Sequence, residues 1–131
     1  MEVSYLNGKF LPKEEIMISP DDRGFLFADG IYEVVRWYGG TFYDMDGHIK
    51  RMKRSLREVR INWPDEDSFP DTALELIRRN NLLDSSALIY LQVTRGAAPR
   101  AHNFPVPPVP PTVYAFARRF NSNPSIAEKG V

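Results

Sequence analysis

His48, Arg51 and Ser55 stand at i, i+3 and i+7, a spacing that sets all three on one flank of a helix. An arginine at the edge where a helix meets its core can hold a phosphate through two parallel hydrogen bonds, which a lysine ammonium cannot copy. The same position also suits a salt bridge, or an arginine snorkelling over apolar neighbours to water. A second cluster is Arg95-Gly96-Ala97-Ala98-Pro99-Arg100-Ala101-His102-Asn103-Phe104-Pro105. If the chain after Pro99 is extended, Arg100 and His102 project to one side, because the side-chain period of extended chain is two. Together they form an anion trap: arginine grips a carboxylate in a bidentate pair and histidine adds a donor. The competing reading is a surface loop whose proline tract, Pro105-Val106-Pro107-Pro108-Val109-Pro110-Pro111, is offered to a partner as polyproline helix. Tyr32 opens a strand-like run and serves either as an aromatic anchor or as a substrate contact.

Other chemistries find no support. The chain has no cysteine and only two histidines, and it lacks a Gly-rich phosphate loop with its lysine, an HExxH pair and a GxSxG elbow. A metal site is not expected. Seventeen basic residues balance seventeen acidic ones, so no net field draws the chain to nucleic acid or to an anionic membrane. Its apolar runs are too short to span a bilayer, and the opening residues lack the apolar stretch of a secretory signal, so a cytoplasmic protein is expected. Of the 17 basic residues only five are lysines: Lys9, Lys13, Lys50, Lys53 and Lys129.

The elements that must position these side chains are legible in part. At 131 residues the chain has the size of one domain with a hydrophobic core. Asn7-Gly8 predicts an opening hairpin, since both central residues of a tight turn need positive φ. Residues 15–18 read as a further short strand and residues 23–30 as an irregular loop with buried apolar side chains. Residues 31–43 read as two strands joined at Gly39-Gly40. Met45, Ile49, Met52, Leu56 and Val59 recur at helical spacing, with Asp44 or Asp46 as cap, and Phe69, Ala73, Leu76 and Ile77 predict a second helix over residues 68–80. Residues 87–94 read as a strand buried on both faces. Residues 97–111 form a loop holding six of the chain's 11 prolines, before a last strand at 112–120. The expected fold is α+β: a two-layer domain in which an antiparallel β-sheet carries two helices packed on one face.

The segments Asp22-Arg23-Gly24-Phe25, Phe27-Ala28-Asp29-Gly30-Ile31-Tyr32-Glu33-Val34, His48-Ile49-Lys50-Arg51-Met52 and Gln92-Val93-Thr94-Arg95-Gly96 through Pro105 resemble the pyridoxal-phosphate aminotransferases of fold type IV. The first three sets are shared with branched-chain aminotransferases and aminodeoxychorismate lyases, while the Pro99-to-Pro105 segment resembles the branch acting on D-amino acids. The resemblance implies a transaminase that moves an amino group from a D-alanine-like amino acid to a 2-oxo acid such as 2-oxoglutarate. It implies that Arg51 binds the cofactor phosphate and that Tyr32, Arg100 and His102 hold the substrate carboxylate, the loop reaching into a neighbouring subunit of a homodimer. It also implies a Schiff-base lysine in a second domain, and none of the five lysines here matches that position. The chain therefore reads as the small N-terminal domain, residues 1–120, followed by the start of an interdomain linker at 121–131. It would supply binding contacts but no catalytic residue. A binding module for a small carboxylate or a peptide, with no enzymatic role, is the alternative from another class.

Overall fold

The computed structural model describes residues 1–130. Asn7 takes φ 48° and Gly8 φ 91°, closing the expected hairpin between β1 (Val3–Leu6) and β2 (Lys9–Pro12). A Cβ added at Gly8 meets nothing within 4 Å, so only backbone strain opposes a side chain there. Gly8→Ala is expected to cost about 1 kcal/mol, read as a lower urea midpoint with an unchanged slope.

Residues 15–18 do not form the expected strand. Lys13–Glu15 turns as a 3-10 helix, Ile16 N–H donates back to Lys13 C=O, and Met17 and Ile18 lie exposed. Extended chain needs a neighbouring ladder, and the hairpin turns off its edge at Pro12 before one can continue. Residues 23–30 also differ from the irregular loop expected of them. Asp22 caps a single helical turn, α1 (Arg23–Phe27), by accepting from Gly24 N–H, and Ala28 ends it at φ 54°. Its buried residues are charged: Asp22 and Arg23 are nearly inaccessible, while Phe25 is exposed.

β3 (Gly30–Tyr38) alternates cleanly, with Ile31, Glu33, Val35 and Trp37 pointing inward. Beyond Gly39-Gly40 the second strand reduces to one bridge, Trp37 to Phe42, because Asp44 begins the next helix at once. Asp44 caps α2 (Met45–Val59) by accepting from Gly47 N–H. Its Met52 and Leu56 are buried, and Met45, Ile49 and Val59 pack around them, as the spacing predicts. α3 (Phe69–Arg79) buries all four residues expected of it. β4 (Ser86–Thr94) and β5 (Thr112–Arg119) complete an antiparallel sheet of order β2-β1-β5-β4-β3.

α2 and α3 cover one face of that sheet, so the α+β two-layer architecture is as expected. Burial of side chains such as Phe69, Leu76, Ile89 and Leu91 contributes about 1.5–3 kcal/mol each. The opposite face carries a row of rings, Tyr32 on Tyr90 and Tyr90 on Phe116. There β4 departs from burial on both faces, since Tyr90 and Gln92 are only half-buried. Within the segment expected as linker, α4 (Ser125–Lys129) forms a short helix. No helix among the described residues is long and apolar enough to cross a membrane.

Candidate active site

The strand alternation that turns Tyr32 outward turns Glu33 inward, toward α2. A carboxylate that is 1 % exposed is costly unless fully paired, and α2 supplies the partners. Arg51 donates from Nε to Oε1 at 2.8 Å and from Nη2 to Oε2 at 2.7 Å. His48 Nδ1 lies 2.9 Å from Oε2; because an ionised carboxylate only accepts, Nδ1 carries the hydrogen and donates. Burial alone would raise the Glu33 carboxyl, but the hydrogen bonds and charges of Arg51 and His48 outweigh it and hold it below the usual range. Glu33 in turn raises the Arg51 pKa.

The i, i+3 pair on α2 therefore meets at one buried carboxylate. Ser55, the third residue of that flank, is half-buried and is not among Glu33's partners. The Arg51 side chain stays 65 % open, and its Nη1 has no protein acceptor among the described residues. Glu33 thus fixes the plane of the guanidinium while leaving an edge for a second anion. Tyr32, on the opposite parity of β3, stands exposed on the open face of the sheet. Around it lies a cleft of about 760 Å³ lined by Ile18, Gly24, Phe25, Gln92 and Tyr114 among others. The Arg51 donor set fits the phosphate of a phosphorylated cofactor: an arginine fork oriented by a buried carboxylate, with one edge open.

Arg100 and His102 lie elsewhere. The chain through them bends instead of running extended, yet both side chains converge on Phe27, the guanidinium carbon 5.2 Å and the imidazole 5.7 Å from its ring centre. Neither side chain makes a hydrogen bond among the described residues. Among the described residues no hydrogen bond or ring contact joins them to Tyr32. What holds the loop is its backbone. Arg23, buried at 4 % exposure, donates from Nη1 to Ala101 C=O at 2.6 Å and from Nε to Asp29 Oδ2 at 2.9 Å. Arg95 shares that carboxylate, at 2.7 and 3.1 Å. Burial pushes Asp29 up, and the two arginines more than reverse it. At the loop's start Gly96 has φ 107°, and a Cβ there would sit 2.0 Å from Pro110 C=O, so only glycine allows the two ends of the loop to close.

The sequence reading did not single out Glu33, Asp29 or Arg23. Glu33 had a signal, an acidic residue on the same parity as Ile31, Val35 and Trp37. Among the described residues no lysine ion-pairs with this cluster: Lys13 pairs with Glu2, and Lys53 with Glu66 and Asp67.

Residues 30–131 match the family described as Amino-transferase class IV. A D-alanine aminotransferase of Staphylococcus epidermidis is 39% identical over 131 residues, covering 97% of this chain and 45% of that protein. The chain thus spans less than half the length of such relatives. Among solved structures, a branched-chain amino acid aminotransferase from Escherichia coli superposes with TM-score 0.83 at 19% identity, over 91% of this chain and 41% of that one. The 4-amino-4-deoxychorismate lyase of Pseudomonas aeruginosa gives 0.73 at 24% identity, over 94% and 42%. At that identity these two likenesses concern the fold.

Proposed function

We propose, on the premise that the chain belongs to the amino-transferase class IV family, that it is the N-terminal domain of a pyridoxal-phosphate-dependent D-amino-acid aminotransferase. The overall reaction moves an amino group from a D-alanine-like donor to a 2-oxo acid such as 2-oxoglutarate. The domain comprises residues 1–120, and residues 121–131 begin the connection to a second domain. The observation that carries the reading is the Arg51 fork, held by buried Glu33 with one edge open. The likeness to D-alanine aminotransferases favours the D-amino-acid branch.

Pyridoxal phosphate, when bound, supplies an electron sink for the substrate carbon. This chain's part is binding and orientation. Arg51 binds the cofactor phosphate, with Glu33 fixing its plane and His48 completing the carboxylate's hydrogen bonds. Tyr32, Arg100 and His102 hold the substrate α-carboxylate, which sets which face of Cα is presented. The Arg100/His102 loop serves the site of a second copy in a cytoplasmic homodimer. No residue here carries the Schiff-base or proton-transfer step, which falls to a lysine outside this chain.

With pyridoxal phosphate, D-alanine and 2-oxoglutarate, the full-length protein is expected to form pyruvate and the 131-residue chain none. Pyruvate from the chain alone would overturn the division of labour. A strong preference of the full-length protein for L-leucine would overturn the D-amino-acid assignment.

A further inference from the structure

The carboxylate reading leaves open what keeps a proline-rich loop in register. Arg100 and His102 sit in a segment without helix or strand hydrogen bonds, and a carboxylate trap loses its bidentate geometry if its backbone drifts by about an ångström. Two buried arginines converge on that segment. Arg23 reaches three consecutive loop carbonyls: a short bond to Ala101 at 2.6 Å and longer contacts to Asn103 at 3.4 Å and His102 at 3.5 Å. Arg95 donates to the last carbonyls of α2, Val59 at 2.7 Å and Arg60 at 2.9 Å, and its guanidinium lies 3.6 Å from the centre of the Phe104 ring. Asp29 bonds both guanidiniums through one carboxylate. Phe27 takes Arg23 at 4.8 Å as well as Arg100 and His102.

We propose that Asp29 is a positioning residue for substrate binding: its carboxylate holds Arg23 and Arg95 together as a clamp on the backbone of residues 101–104, presenting Arg100 and His102 with their side chains free. The inference rests on the carboxylate role proposed above for those two residues. The physical case is charge and geometry. Two guanidiniums this close repel, and both are too buried for water to screen the repulsion. A single anion bonded to each cancels it. The negative end of α2, whose terminal carbonyls Arg95 caps, offsets the remaining positive charge. Arg23 bonds only carbonyls of the loop and Arg95 meets it at the Phe104 ring, so neither anion-binding side chain is consumed. Replacing Asp29 by an amide of the same shape leaves two like charges with a neutral partner, and the loop loosens without losing any substrate-touching group.

A double-mutant cycle in the full-length protein tests this. Asp29→Asn is expected to raise the KM for the amino acid and the 2-oxo acid about tenfold while kcat stays within about twofold. In an Arg100→Ala background the same change is expected to raise KM by clearly less than about tenfold, because only His102 is left to misplace. Additive effects, or an unchanged KM in the single variant, would overturn the clamp. An unchanged KM for Arg100→Ala alone would instead overturn the carboxylate role, and this proposal with it. Limited proteolysis gives a readout independent of turnover: trypsin is expected to cut faster after Arg100 in Asp29→Asn, and an unchanged cleavage rate counts against the clamp. Should Asp29→Asn fail to fold, Phe104→Ala removes the loop's contact with Arg95 at a half-exposed ring, and the same non-additivity with Arg100→Ala is expected.

Discussion

Arg51→Ala in the full-length protein is expected to weaken pyridoxal-phosphate binding about a hundredfold, seen as a higher concentration of cofactor needed to reach half-saturation in an absorbance titration. Each charge-assisted hydrogen bond to a phosphate is worth about 1.5–3 kcal/mol, so loss of a two-pronged contact corresponds to about two decades in affinity. Geometry and charge can be told apart. Arg51→Lys keeps the charge but loses the planar fork and cannot be oriented by both Glu33 oxygens, so about a tenfold loss is expected. Arg51→Ala also leaves the buried Glu33 carboxylate with His48 as its remaining partner, so some loss of stability is expected beside the loss of affinity, and far-UV circular dichroism checks that the chain is folded where the titration is made. Wild-type cofactor affinity in Arg51→Ala would remove the phosphate role.

The difference between Arg51 and the residues around it shows what one sequence can reveal. The apolar arc of α2 is a local periodic signal, repeated over four turns, and it put His48 and Arg51 at the edge of the core where the structure has them. Their shared partner depends on which strand α2 lies against, and Glu33 is fifteen residues from His48; only strand parity hinted at it. The same limit explains the two misread segments. Residues 23–27 contain a glycine and follow a turn-like Ser-Pro-Asp-Asp run, so local propensity argued against helix. A cap by Asp22, whose second oxygen is bonded by Thr112 ninety residues away, decides otherwise. Residues 15–18 have strand-forming composition but no strand beside them to pair with. Local composition located the candidate anion-binding residues, and long-range contacts decided what each of them meets.

Those long-range contacts make Glu33 the position where binding and stability meet. Glu33→Gln is expected to destabilise the chain by about 2 kcal/mol at neutral pH, read from urea unfolding. Removing one member of a fully buried ion pair can cost about 3–5 kcal/mol, but Arg51 is 65 % open and its charge can relax into water, so the smaller figure applies. What remains is the misfit of an amide N–H₂ against Arg51, since either orientation of the amide sets its nitrogen opposite an Arg51 N–H that cannot accept. The pH dependence identifies the cause. Because the folded carboxyl titrates below its unfolded value, its stabilisation is fully present above the unfolded pKa of about 4.3. It is lost as pH falls through the lower folded value. The wild type and Glu33→Gln should therefore differ most at about pH 5 and above and converge in stronger acid. Asp29, also held low, weakens both proteins alike in that window and drops out of the difference. A gap that stays constant down to acid pH would show that shape, and not the carboxylate charge, is what Glu33 contributes. The same substitution should also weaken pyridoxal-phosphate binding severalfold, since Arg51 keeps its charge but loses the acceptor that fixes its plane.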